Sequence, residues 1–374
     1  MSASATADAP PGGWANVVLP TDDEEIWRYS RISELDLSAY RPASYMPEVS
    51  GNVAPGSLTV SDPGTGHTPE LFADEPDPDV FATLNRDGAT TVHVVVPGGA
   101  VVIDPIVITH RVPAAHALVR PRLVIEAGAD SQVTVVERFT SAEAGPTLVL
   151  PVLQIAAGPA ARVNYLAVND LSEAAWSIGH QQARGDRDSS VLLATVSLGG
   201  YYARVRTDAR VAGPGASTRQ VALYFAGGDQ MHDFRTIQDH AAPHTTSDLL
   251  FKGAVQGHAR SVYTGLIRIR ENAKGSVAYQ TNRNLTLSDG AWAESVPNLD
   301  IQTNDVKCSH ASTVGPIDED QRFYLESRGV HPDVAERLVV LGFFDEVLDQ
   351  LPAATVVADL RDRVAGKLDL GGAA

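Results

Sequence analysis

The chemistry this sequence could do is concentrated at Asp305-Val306-Lys307-Cys308-Ser309-His310, which holds the single cysteine of a 374-residue chain. In an extended strand, residues two apart share a face, so Asn304, Val306, Cys308 and His310 point one way and Asp305, Lys307 and Ser309 the other. At ~3.3 Å per residue the Cα atoms of Cys308 and His310 would stand roughly 6.6 Å apart. A thiolate and an imidazole so placed can meet at one iron, zinc or sulfur species. Spacing alone favours a plainer reading, in which Cys308 is a small buried hydrophobe and His310 a hydrogen-bonded strand residue. A lone cysteine excludes an internal disulfide and any zinc or iron–sulfur site ligated by four cysteines of one chain. A metal centre here therefore needs ligands borrowed from a partner.

Other candidate sites fare worse. His240-x-x-x-His244, with His232 nearby, has helical ligand spacing, but Pro243 lies inside it and the surroundings read as strand–turn–strand, so these histidines are expected to be structural. The turns Gly213-Pro214-Gly215 and Gly227-Gly228 lack the Gly-Lys-Ser/Thr ending of a phosphate loop, so the chain should not itself bind ATP. A Cys–His hydrolase would need an oxyanion hole and an orienting third group that no motif marks.

The stretch from Asn284 to Val330 resembles the SufB/SufD family, the scaffold subunits that build iron–sulfur clusters. The matching residues are Asn284-Leu285, Leu287-Ser288, Ala291, Pro297-Asn298-Leu299, Asp305 through His310, Thr313-Val314-Gly315, Ile317-Asp318-Glu319, Phe323-Tyr324-Leu325 and Ser327-Arg328-Gly329. Ala311 stands where the family usually has glycine. The short chain, Val314-Gly315 after the Cys-Ser-His segment and the single cysteine resemble the SufD branch more than SufB. Glu25-Ile26-Trp27-Arg28-Tyr29 also resembles the family's N-terminal signature.

The resemblance implies a non-catalytic scaffold that pairs with a SufB-like subunit and a separate SufC-like ATPase, with a homodimer as a second arrangement for the chain alone. It implies a transient iron–sulfur cluster in the complex and no stably bound cofactor. It places His310, and with it Cys308, at the subunit contact where the cluster forms, as transient ligands. It also assigns ATPase docking to the C-terminal segment, represented by Phe323, Tyr324, Arg328, Leu338 and Phe344, so that removing residues 318–374 should abolish docking and leave a folded β core.

These residues need elements to hold them. Between Ala161 and Gln280, similar strand openings recur 28 residues apart at Ala161, Ser189, Ser217 and Thr245. Strand repeats without intervening helices, each too short to bury its own face, are best accommodated by a parallel β-helix. The fold class expected is therefore mainly β: a right-handed parallel β-helix core over residues 90–316, with inward candidates Val163, Tyr165 and Ala167, then Val191, Leu193 and Thr195, then Val221, Leu223 and Phe225. An N-terminal helical and irregular region covers 14–89, after a disordered tail at 1–13 that is rich in small, polar, Pro and Gly residues. In it, Thr21 to Glu24 has capping-box spacing for a helix through Tyr29, and a short helix is expected near Asp79 to Leu84. A helical domain over 317–374 opens at Asp318-Glu319-Asp320 and carries four apolar stripes.

The charge balance of 29 basic and 46 acidic residues, −17 in all, opposes binding to nucleic acid or an anionic membrane. The sequence holds no apolar run of about 18 residues, the length that spans a bilayer, and its start lacks the basic-then-apolar order of a signal peptide, so a cytoplasmic location is expected. The alternative function for this architecture is a β-helix polysaccharide-processing enzyme or binding protein, for which no compelling carboxylate cluster is evident on the strands.

Overall fold

A β-solenoid dominates the computed structural model, which describes residues 17–51, 57–61, 70–73 and 75–371; the tail expected over 1–13 lies outside them. From Thr90 to Gly315 the chain alternates between two sheets, each coil contributing to both, with the first-sheet contribution split into two strands in the second and third coils (Ala117–Val119 with Pro121–Ala127, Thr147–Val149 with Val152–Ala157). Eight coils stack in parallel, from Thr90–Val96 with Ile106–Val112 to Trp292–Ile301 with Val306–Gly315. Parallel strands need a connection that returns to the same end, and here the opposing strand of each coil provides it.

The repeat is set at a corner. Asp130, Ala160, Asp188, Gly215, His244 and Gly275 all adopt positive φ, each just before a strand of the second sheet. Only small or locally bonding side chains adopt this conformation at low cost. The strand register that follows is Arg162, Ser190, Ser217 and Thr246, so the coils are 28, 27 and 29 residues long. A strict 28-residue alignment is thus one residue out at the third coil. Val163, Tyr165, Ala167, Val191, Leu193 and Thr195 are buried on the inner face. Thr218, Gln220 and Ala222 continue their columns, and Val221, Leu223 and Phe225 point out of the solenoid. A one-residue slip along a strand exchanges its two faces, which is why the expectation for those three residues inverts.

What covers the outward Val221, Leu223 and Phe225 is the C-terminal domain. It has three helices: α2 (Glu319–Ser327), α3 (Pro332–Leu348) and α4 (Ala354–Gly371). Asp318 caps α2 through bonds from the amides of Asp320 and Gln321, and Gly329 follows with φ 86°. Two of the four expected stripes belong to the single helix α3, which runs through Gly342. A mid-helix glycine costs about 1 kcal/mol, less than burying Val340, Phe344, Val347 and Leu348 on either side of it returns. Phe344 is fully buried 6.1 Å from Phe225, within a cluster shared with Val196, Leu223, Leu360 and Val364. Removing residues 318–374 would uncover this apolar sheet face, so the helices and the strands form one core.

The N-terminal region covers the first sheet. Glu24 accepts a bond from the Thr21 amide at 3.0 Å, but only a 3-10 turn, Glu25–Trp27, follows, and Tyr29 at φ 66° ends it. Of Ile26, Trp27 and Tyr29 only Trp27 is buried, so one anchor holds the turn and no apolar stripe sustains a longer helix. The Trp27 ring lies 5.5 Å from Phe81 and beneath the Arg204 guanidinium at 3.9 Å. Phe81 belongs to α1 (Val80–Arg86), capped by Asp79.

Phe344→Ala should cost about 3–5 kcal/mol by leaving a cavity between α3 and the sheet. Denaturant unfolding combined with limited proteolysis checks this, with cleavage expected first between Ile317 and Ala354.

Candidate functional site

The strand register places each residue of the last strand at the end of a column, alternately inward and outward. Val133, Val163, Val191, Thr218, Ser247, Ala278 and Cys308 stack in that order. The neighbouring column runs Val135, Tyr165, Leu193, Gln220, Leu249, Gln280 and His310. Cys308 and His310 therefore share the inner face, while Lys307 and Ser309 lie on the other. Asn304 sits in the bend before the strand, so the shared face begins at Val306.

This last coil has no coil above it. Cys308 is half-buried against Ile267, Ile269, Ala273 and Ala278, and His310 is exposed although the Gln280 beneath it is buried. Partial burial pushes the Cys308 thiol upward, so within this chain it is a protonated thiol rather than a ready thiolate. Leu299, Ile301 and Val314 stand about two-fifths exposed on the same coil. Tyr29, from the N-terminal region, reaches Trp292 at 5.8 Å, at the opposite end of the strand that carries Leu299 and Ile301. No local signal in the sequence could have joined residues so far apart.

The two ends of the solenoid differ. At the first coil, Leu58–Ser61 pairs antiparallel with Thr90–Val96 and Glu48–Ser50 pairs antiparallel with Ile106–Val112. At the last coil, no strand among the described residues pairs with the outer edges of Trp292–Ile301 and Val306–Gly315. Unpaired edges are otherwise avoided in soluble proteins, and a solenoid end is normally sealed.

The C-terminal candidates separate. Phe323, Tyr324 and Leu338 are exposed, and the Arg328 guanidinium lies 5.2 Å from the Tyr324 ring. Phe344 is corrected: it anchors α3 to the sheet and offers no surface to a partner. Lys252 sits between the two parts, donating to the Phe343 carbonyl at 2.8 Å and pairing with Glu346.

The histidine group is structural. His240 is buried with one ring nitrogen 2.7 Å from Thr245 Oγ1 and the other 2.8 Å from Ser247 Oγ, which leaves no lone pair for a metal. His244 occupies the positive-φ corner. His232 Nε2 is 3.3 Å from the Gly199 carbonyl in a fully buried site. No group of three or more metal-ligating side chains occurs among the described residues. No helix there is long and apolar enough to cross a membrane.

These features define a parallel β-solenoid with one sealed end, one open end that bears a thiol and an imidazole, and a helical domain fixed to one face. Residues 110–343 match the family model described as SUF system FeS cluster assembly, SufBD core domain. An iron–sulfur cluster assembly SufBD family protein of Mycobacterium tuberculosis is 32% identical, over 94% of this chain and 89% of its own. The iron–sulfur cluster assembly protein SufD of Escherichia coli is 26% identical, over 94% and 90%. A SufBD family protein of Synechocystis is 29% identical, over 77% and 66%. The chain belongs to the SufBD family of iron–sulfur cluster assembly proteins. That membership replaces the polysaccharide-processing alternative.

Burial lowers His232 to about 3, with the Lys367 charge adding to the effect, and lowers His240 to about 4. Both stay neutral when folded but take up protons near 6.5 when unfolded, so their stabilisation is complete above pH 6.5 and falls as pH drops toward those values. Between pH 6.5 and 5 the unfolding free energy should approach a loss of about 1.4 kcal/mol per pH unit for each histidine. His240→Gln should remove one share of that slope, measured by denaturant titration across the range.

Proposed function

We propose that this chain is a SufD-like scaffold subunit that pairs through its open coil with a SufB-like subunit and presents Cys308 and His310 at the shared boundary. The observation that carries the reading is the asymmetry of the solenoid, sealed by antiparallel strands at Leu58–Ser61 and Glu48–Ser50 and bare at Val306–Gly315. A partner strand would satisfy the unpaired backbone groups and bury Leu299, Ile301 and Val314. It would also bring the ligands that a one-cysteine chain lacks. The nascent cluster is cargo, held for a time between subunits and passed on, and the chain needs no activity of its own.

A SufC-like ATPase docks, on this reading, on the exposed side of α2 and α3, where Phe323, Tyr324, Arg328 and Leu338 remain uncovered. Large exposed aromatics beside an arginine are the composition of an interaction surface. The buried face of α3 ties that surface to the second sheet, through Phe344 on Phe225 and Lys252 on the Phe343 carbonyl. Nucleotide-driven movement of the helices would thereby reach the strands that carry Cys308 and His310. The absence of a membrane-length helix among the described residues agrees with assembly in the cytoplasm.

His310→Ala should leave the subunit pair intact, because one imidazole is a minor part of a strand-pairing surface, yet lower bound iron and acid-labile sulfide on the order of tenfold or more in the anaerobically purified complex. Cys308→Ser should be milder, since burial keeps that thiol protonated and the partner supplies the thiolate. Parent-level cluster content in His310→Ala, with the pair intact by size-exclusion chromatography, would refute the site.

A further inference from the structure

The outer face of the first sheet, remote in sequence from the last coil's Cys308 and His310, gathers arginines in a chain whose overall charge is −17. One cross-strand row reads Arg184, Arg210, Asp239, Arg268, three guanidinium groups and one carboxylate. Together with Arg206 and Arg270 they line a cleft of about 340 Å³. Its sheet carboxylates are already shared: Asp208 accepts from both His180 and Arg206 at 3.0 Å, and Asp239 pairs with Arg270 at 2.8 Å and Arg210 at 3.5 Å. Arg268 is taken by Asp300 at 3.0 Å. The five arginines therefore exceed the three sheet carboxylates by two charges.

Glu75 cancels one of them, and it does not belong to the sheet. It comes from the connector before α1 and bridges Arg184 and Arg210, with Gln182 Nε2 donating to its other oxygen at 2.5 Å. Phe72 of the same connector is buried under the Arg184 guanidinium at 4.7 Å. A carboxylate held on a short tether between two guanidinium forks occupies the position that a free oxyanion would take. Arg184 and Arg210 are each about one-third exposed, so the position is open to solvent.

We propose that this cleft is a binding site for a phosphate-bearing small molecule, with Glu75 as a tethered carboxylate that competes for it. Guanidinium forks match phosphate bidentately, and the cleft volume falls in the range of about 300–1,000 Å³ found for small-ligand sites. A ligand phosphate would take over the bonds of Glu75 and release its connector from the sheet, so occupancy would be reported at Phe72 and Trp27, which pack on that face.

Pyrophosphate is the probe, titrated into the full chain by calorimetry at constant ionic strength with sodium chloride as the balance. Saturable binding is expected, tightened several-fold in Glu75→Gln and weakened about tenfold or more in Arg184→Gln, the scale of a lost charge-assisted pair of bonds. Arg210→Gln provides a second variant, and a far-ultraviolet spectrum like the parent's qualifies each. Citrate should bind more weakly than pyrophosphate, since its oxygens are spread over three flexibly linked carboxylates instead of two compact tetrahedral groups that each face a fork with three. No binding beyond chloride in both the parent and Glu75→Gln overturns the proposal. So does undiminished binding in folded Arg184→Gln and Arg210→Gln, and equal affinity for citrate overturns the assignment to phosphate.

Discussion

Every coil of this solenoid buries its inner face only by lying in register on another coil, and the stack must stop somewhere. That constraint organises the rest of the molecule. The first coil is closed by two antiparallel strands, the outer face of one sheet by the N-terminal turn and α1, and the outer face of the other by α3 and α4. Among the described residues, only the last coil keeps its edges bare. Its incompleteness is the basis for proposing that a second polypeptide completes both the sheet and the chemistry there.

The same stacking explains why Cys308 and His310 are where they are. Their columns begin in aliphatic coils at Val133 and Val135 and become polar toward the open end. There Tyr224, Asn282 and Asn284 bond one another at 2.7 to 2.9 Å in the interior. A fully satisfied polar network fixes one register where an aliphatic core would tolerate repacking. It therefore helps to fix the register of the strand on which the last strand, with its thiol and imidazole, is laid. Burial raises the pKa of the half-buried Cys308 thiol, which favours its protonated form in the isolated chain.

The strand–helix division and the shared face of Cys308 and His310 were legible because alternation and periodicity are local properties. The same is true of the Asp318 cap and the Gly329 stop. The faces of Val221, Leu223 and Phe225 were not legible, because one short coil at Gly215 shifts the register and nothing in a 28-residue spacing reports it. Phe344 reads as surface or core equally well from an apolar stripe; the choice depends on the outward Phe225 that it meets. Gly342 suggested a break that tertiary packing overrides. The arginine cleft was invisible for the same reason as the Tyr29–Trp292 pair: each is assembled from strands or connectors far apart in the chain.

The central claim is that the bare last coil is the surface on which a SufB-like subunit completes the scaffold. Amide hydrogen exchange of the full chain, alone and with that subunit, tests it most directly, because exchange reports pairing of the very backbone groups left open. The account predicts that the amides of Trp292–Ile301 and Val306–Gly315 that point to the open edge, away from the preceding coil, exchange quickly in the chain alone and become protected in the complex, with Glu48–Ser50 and Leu58–Ser61 unchanged. Protection confined to the sealed end, with the last two strands exchanging as before, would contradict it.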